Sequence, residues 1–414
     1  MVPGSKSLTN RAFVAAALGE GTSRVSGALA GDDADAMVGG LTALGVEIAP
    51  LGPGAFEVDG SAGRVGLHPV VVDARLAGTA LRFLTAVAAL GEGGITVTGE
   101  EALLRRPVGP LLEALRSCGA EVSGSGPAGD LAPVAVGRRH RPLGGQVAVD
   151  ASSSSQFVTA LLLVAPLFEE PLVLEGRGLS ASGFVELTTE LMQRFGVEVD
   201  HDPAGPLWRV PARTPYRATD YAVPPDASAA SHLFTLGLAT GGTVTVERLS
   251  LALLQPDFSV LGVFERLGAE VDRHDDGAVT VAAPSHLVPV EVDLAAMPDQ
   301  LPNVAVLAAL AEGTSRISGV GITRFHETDR MAAVAGELGK AGVACELSPD
   351  EVVVHGGTLR GGATFSSHGD HRMAMALAAL AAAAGRCRIE EASAVTKTYR
   401  DFWADAAALG LVWG

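Results

Sequence analysis

GTSRVSG at Gly21–Gly27 and GTSRISG at Gly313–Gly319 differ at one position, Val25 against Ile317, although they lie in opposite halves of the chain. In each, a glycine leads into alternating β-branched and small polar residues, the pattern of a turn entering a half-buried strand. Looser versions stand at Gly94 (GITVTG), Pro171 (PLVLEG), Gly242 (GTVTVE) and Gly385 (GRCRIE), so the motif recurs six times, at intervals of roughly seventy residues. The same order surrounds each copy. A polar or Gly/Ser-rich entry precedes an Ala/Leu-rich helix, the Gly-led strand, a second helix and a closing strand that starts near Gly45, Gly119, Gly196, Gly268, Gly342 or Gly410. Helices and strands that alternate in this way share one core, which makes the chain mixed α/β.

Six copies divide into two domains of three. The Pro-rich run from Pro211 through Pro215 and Pro224 to Pro225 breaks the period after the third copy, so the expected domains are 4–223 and 224–414, the latter with residues 1–3. The first copy opens at Pro3 with no strand ahead of its helix, whereas later copies carry one, such as VVVD at Val70 and VEVD at Val290. A sheet short of that strand is expected to keep an unpaired edge.

The chain has 414 residues, 48% of them hydrophobic, and a formal charge of −17 from 30 Lys plus Arg against 47 Asp plus Glu. That balance argues against nucleic-acid and acidic-membrane partners, which require a basic face. Cys118, Cys345 and Cys387 have no C-x-x-C spacing, so neither a disulfide framework nor a zinc site is expected. The apolar stretches around Leu161 and Met373 are too short to span a bilayer and the N-terminus carries no leader pattern, so a cytoplasmic protein is the expectation. GSGPAG at Gly124–Gly129 fits G-x-G-x-x-G, but Pro127 interrupts it and the strand-like LAPVAVG follows where a dinucleotide site needs a helix. Lys6 belongs to P-G-S-K-S and not to a nucleotide phosphate loop.

The chemistry concentrates where the helices begin: PGSKSLTNR from Pro3, LAGTALR from Leu76, SSSSQF from Ser152, PDASAAS from Pro225, MPDQLPN from Met297 and SHGDHRM from Ser367. A helix start presents unpaired N–H groups and partial positive charge, and small polar residues let an anion approach them. Lys6, Ser7 and Arg11 fall within one and a half turns of one start, and Ser154, Ser155 and Gln156 place hydroxyl and amide groups over another. Arg105 and Arg106 before Pro107, HETDR at His326–Arg330, DHR at Asp370–Arg372 and Lys397 occupy further loop-to-helix junctions. Guanidinium and ammonium groups at such places suit a small ligand with several negative charges. Asp299 and Glu327 are the acid and base candidates among them.

PGSKS-x-x-NR, AGTALR, the R-P pair, SSQF, HETDR, DHRMAM and the late lysine occur here in the order and spacing of one family, and over essentially its whole length the chain resembles the 5-enolpyruvylshikimate-3-phosphate synthases of the enolpyruvyl transferase group. The resemblance implies two inside-out α/β barrel domains, each of three βαβαββ units, closing around shikimate 3-phosphate and phosphoenolpyruvate. It also implies addition of the acceptor hydroxyl to phosphoenolpyruvate followed by loss of phosphate, without metal or organic cofactor, in a monomer. Lys6, Gly78, Arg106, Gln156, Arg330, Arg372 and Lys397 are similar to the family's phosphoenolpyruvate-binding residues. Lys6, Ser7, Arg11, Ser154, Ser155, Gln156, Asp299 and His326 match its acceptor-binding positions. Asp299 corresponds to the proton acceptor and Glu327 to the proton donor, with Lys6 near both substrates. Phe184 keeps an aromatic position, but Ala181 stands where a serine is usual, Gly183 where a proline is, Ile322 where Asn is common and His326 where Lys is common. These departures fall on the acceptor side and keep open a transferase with another hydroxylated acceptor. A non-catalytic anion-binding protein is the remaining alternative, and the pairing of Asp299 with Glu327 speaks against it.

Overall fold

Both Gly-led motifs become strands, Glu20–Ser26 and Gly313–Ser318, and each runs second in a four-stranded sheet. The computed structural model describes residues 2–137, 142–179, 181–202, 205–249 and 255–412. They form two compact units, Gly4–Val223 and Pro224–Gly414 with Met1–Pro3.

In the Gly4–Val223 unit three sheets repeat one topology. Their strands run Asp220–Ala222, Glu20–Ser26, Ala55–Ser61, Glu47–Gly52; then Val70–Asp73, Ile95–Thr98, Leu131–Val136, Val122–Ser125; then Gly145–Asp150, Leu172–Arg177, Leu207–Val210, Asp200–Asp202. In every sheet the first pair is parallel and the next two are antiparallel. The strand that the first copy does not carry ahead of its helix comes from the end of the unit. Asp220–Ala222 pairs parallel with Glu20–Ser26, with Arg24 opposite Asp220 and Val25 opposite Tyr221. The expected open edge of that sheet is therefore filled.

The Pro224–Gly414 unit holds a sheet of the same kind, Glu291–Asp293, Gly313–Ser318, Glu351–Gly356, Ala344–Leu347. Beside it are the three-stranded Thr243–Val246, Val279–Ala282, Glu270–Arg273 and the parallel pair Thr364–Ser366 with Arg388–Glu390. A Pro256–Ser259 3₁₀ turn leads into the Val260–Arg266 helix.

The helix that opens each copy is apolar on nearly every side. A helix without a polar face belongs in the interior. In the first unit Lys6–Leu18, Gly78–Ala88 and Gln156–Val164 lie buried, and in the second Ala227–Ala239, Leu301–Leu310 and His371–Ala384 do. The sheets cover them with one face outward: along Glu20–Ser26 only Ser23 and Val25 are buried, and Phe13 of the first helix meets Phe56 edge-on at 5.2 Å. Helices inside and sheets outside is the inside-out arrangement expected from the resemblance. Cys118 is part of the first core, and burial pushes its thiol up to about 12.

Candidate active site

Of the three helices that open copies in the Gly4–Val223 unit, two start without a side-chain cap. Ser5 and Ala77 make no side-chain bond to the first turn, which suits those starts to an anion, whereas at the third Ser154 Oγ accepts from Gln156 N at 3.2 Å. Lys6 opens the first helix and lies 3.4 Å from Asp33 Oδ2. Gly78 opens the second, and the end of Arg106 rests against it: a Cβ at Gly78 would stand 2.4 Å from Arg106 Nη1 and 2.8 Å from its Cζ. Neighbouring Arg105 instead turns outward to Glu101. Of the two arginines, the structure places Arg106 at the helix start.

Gln156 opens the third helix, and its Oε1 accepts from Arg82 Nη1 at 2.7 Å. Arg82 also donates to Ser154 Oγ at 3.3 Å and to the Pro107 carbonyl at 3.4 Å, with its guanidinium 5.0 Å from the Phe157 ring centroid. This arginine ties the Ser154–Gln156 start to the segment that carries Arg106. Arg82 lies within LAGTALR, outside the residues that the sequence marks for a ligand. The available signal was a guanidinium inside the otherwise apolar run LRFLTAV, which is costly unless it is bonded. Ser155 is buried beside Ser154, and Ser7 is partly exposed next to Lys6.

Arg11, grouped in the sequence with Lys6 and Ser7 at one helix start, is committed to protein acceptors. It donates to Thr188 Oγ1 and the Ser7 carbonyl at 2.8 Å each, to the Phe184 carbonyl at 3.0 Å and to Thr159 Oγ1 at 3.4 Å. Burial lowers its pKa to about 9. It braces the Lys6–Leu18, Gln156–Val164 and Gly183–Arg194 helices. Ala181 sits buried in the left-handed region, at φ 52°, just ahead of the last of these.

In the Pro224–Gly414 unit three of the described helix starts are acid-capped, while the Leu301–Leu310 start is not. Asp226 accepts from Ser228 N and Ala229 N, Asp329 from Ala332 N, and Asp370 from Arg372 N. Arg330, 1% exposed, gathers three carboxylates. Its Nε meets Asp370 Oδ2 at 2.7 Å, its Nη1 meets Asp299 Oδ1 at 2.6 Å, and its Nη2 meets Glu327 Oε2 at 2.9 Å. Arg372 Nη2 takes the other Asp299 oxygen at 3.0 Å, and Lys397 Nζ takes Glu327 Oε1 at 2.9 Å. His326 Nδ1 lies 3.2 Å from Asp299 Oδ1 and 3.1 Å from Arg330 Nη1. Ile322 is partly exposed on the preceding Gly321–Phe325 turn.

The electrostatics follow from this packing. Burial alone would raise the Asp299 carboxyl, but Arg372, Arg330 and His326 outweigh it and hold it well below the usual carboxylate range. Burial lowers His326 despite the opposing pull of Asp299, so its ring favours the neutral form. The result is an ionised carboxylate and a second carboxylate joined through one guanidinium, with a cation on the far side of each. Asp370 was read within DHR without a separate role. The structure makes it the second partner of Arg330, a relation between residues forty positions apart that local spacing does not encode.

A sequence profile described as EPSP synthase (3-phosphoshikimate 1-carboxyvinyltransferase) matches residues 1–405. The 3-phosphoshikimate 1-carboxyvinyltransferase of Methanosphaerula palustris is 37% identical over 99% of this chain and 96% of its own. That of Methanothermobacter thermautotrophicus is 38% identical over 97% and 93%. In fold, the chain resembles a solved EPSP synthase from Acinetobacter baumannii with a TM-score of 0.81 at 23% identity, covering 100% of this chain and 95% of that one. With nearly its whole length matched and its helix starts furnished in this way, the chain belongs to the EPSP synthase family.

Proposed function

We propose that the protein transfers the enolpyruvyl group of phosphoenolpyruvate to the 5-hydroxyl of shikimate 3-phosphate and releases phosphate, with the residues below in named roles. One observation carries the assignment of roles: Asp299 and Glu327 are bonded to the same Arg330 guanidinium, while Arg372 and Lys397 flank them. Addition forms a bond between the acceptor oxygen and C2 while C3 gains a proton; elimination breaks the bond from C2 to the phosphate oxygen while C3 loses one. Atoms and charge balance without a change of oxidation state.

Asp299, held ionised, receives the hydroxyl proton. Glu327 is bonded to Lys397, so a proton can pass along that contact to the carboxyl that serves C3. Lys6, Gly78, Arg106, Gln156, Arg330, Arg372 and Lys397 form the proposed phosphoenolpyruvate set, their cations stabilising charge on the tetrahedral species. Lys6, Ser7, Ser154, Ser155, Gln156, Asp299 and His326 form the acceptor set, with Arg11 fixing Ser7 from beneath through its carbonyl. We extend the reading to a cytoplasmic monomer, supported by the net charge of −17, which sets copies against one another.

Steady-state phosphate release with both substrates tests the reaction: saturable turnover is expected, and none with shikimate 3-phosphate would overturn the acceptor assignment. Gly78→Ala gives a sharper test of the arginine. The added methyl meets the end of a flexible side chain, so the fold survives and Arg106 is displaced. Loss of a charged hydrogen bond is worth about 1.5–3 kcal/mol. The apparent KM for phosphoenolpyruvate should therefore rise about tenfold or more, and inhibition by the anionic competitor glyphosate should weaken. An unchanged KM would remove Arg106 from the proposed set.

A further inference from the structure

Gln255 and Asp257 lie on or beside the Pro256–Ser259 turn, and both are buried. Gln255 ties the turn to the PDASAAS start: its Oε1 accepts from Ala227 N at 3.0 Å and its Nε2 donates to the Pro225 carbonyl at 2.9 Å. Asp257 ties it to MPDQLPN, accepting from Gln300 Nε2 at 2.6 Å. Gln300 is the residue after Asp299 and closes the same Pro298–Gln300 turn.

From Gln300 the bonds continue. Its Oε1 accepts from Asn303 Nδ2 at 3.1 Å, and Asn303 Nδ2 also meets Ser231 Oγ at 2.9 Å. Ser231 donates to the Ser228 carbonyl at 2.7 Å, Ser228 Oγ accepts from Arg372, and Arg372 returns to Asp299 Oδ2 at 3.0 Å. The circuit thus begins beside Asp299 and ends on its carboxylate. Gln300 and Asn303 have no exposed surface, and Asp257, Ser228 and Arg372 are buried as well. Most of these buried polar groups are bonded, Asn303 Oδ1 being an exception, and they resist a change of orientation because a shift would leave another of them unsatisfied.

We propose that the Asp257–Gln300 pair is a positioning device for Asp299, setting the direction in which its carboxylate meets the acceptor hydroxyl. Asp257 and Gln300 touch no reacting atom in this scheme; they act through the turn. Burial raises the Asp257 carboxyl to about 6, against the pull of Arg372 and the Gln300 bond and with Asp299 adding to the rise, so above that pH it is a charged acceptor for Gln300. The proposal rests on the assignment of Asp299 as proton acceptor.

Three variants of the full chain test it, with kcat and both KM values read beside near-ultraviolet circular dichroism. The double variant Asp257→Leu with Gln300→Met removes both members of the bond, so neither is left facing an absent partner, and Asn303 Nδ2, which loses Gln300 Oε1, keeps Ser231 Oγ. It should keep the native spectrum and lose kcat about tenfold or more, with both KM values within about threefold, since small misplacements of a reacting group are costly to rate. Asp257→Asn retains the acceptor oxygen and should restore kcat to within about threefold of the parent. A folded double variant with parental kcat, or an Asp257→Asn protein as slow as the double variant, would overturn the positioning role. Asp299→Asn with parental kcat would instead remove the proton-acceptor assignment on which it rests.

Discussion

Arg330→Met is expected to lower folding stability by about 3–5 kcal/mol and kcat by about a hundredfold or more. Arg330 is the common partner of Asp299, Glu327 and Asp370, and the Asp370 side chain is wholly buried. Replacing the guanidinium with an apolar chain leaves those carboxylates facing one another in a water-poor site, the situation in which breaking a buried ion pair is most costly. The sign of the pH dependence follows from Asp299. Its folded pKa lies well below the ordinary 3.8, so its ionisation contributes stability that is present above about pH 4 and lost as the pH falls through the folded value. Deleting Arg330 removes part of that contribution. The gap between variant and parent should be widest at neutral pH and narrow in acid. Thermal melts at pH 7 and pH 4 measure it; equal melting temperatures at pH 7 would show that the cluster does not depend on Arg330.

Asp299→Asn and Glu327→Gln should each lower kcat by about 10²–10⁴, the range for a positioned acid or base, with much smaller effects on either KM. Their combination should lose less than the product of the separate losses. Both carboxylates are bonded to one guanidinium, so removing either already disturbs the other, and residues that act as a unit are not additive. Single-turnover measurements on the two variants and their combination decide this. Multiplicative losses would separate the two groups and place their common tie outside the chemistry.

Much of the architecture could be read from the chain because the repeat is carried by glycine-led turns and all-apolar helices, features fixed by local backbone and burial requirements. Pairing between distant segments could not. Asp220–Ala222 is three residues, DYA, whose place beside Glu20–Ser26 depends on the chain returning to its beginning, and no periodicity marks such a return. At the site, the cations at helix starts were legible as types, but their directions were not. Arg11 is five residues from Lys6, about 140° around a helix at 100° per residue, which turns it from the Lys6 side toward Thr188 and Phe184. The choice of Arg106 over Arg105 depends on the absent Cβ of Gly78. The Arg82 to Gln156 and Arg330 to Asp370 ties needed coordinates because they join helices from different copies of the repeat.

The strand at Asp220–Ala222 also constrains how the polypeptide acquires its shape as it leaves the ribosome. Glu20–Ser26 is translated some two hundred positions before its parallel neighbour. Until then the earliest sheet exposes a bare flank on a nascent chain, and the first copy cannot complete before the third has been made. Synthesis halted ahead of residue 220 would therefore release a polypeptide with a ready template for pairing with its own kind, whereas one that reaches residue 223 seals itself.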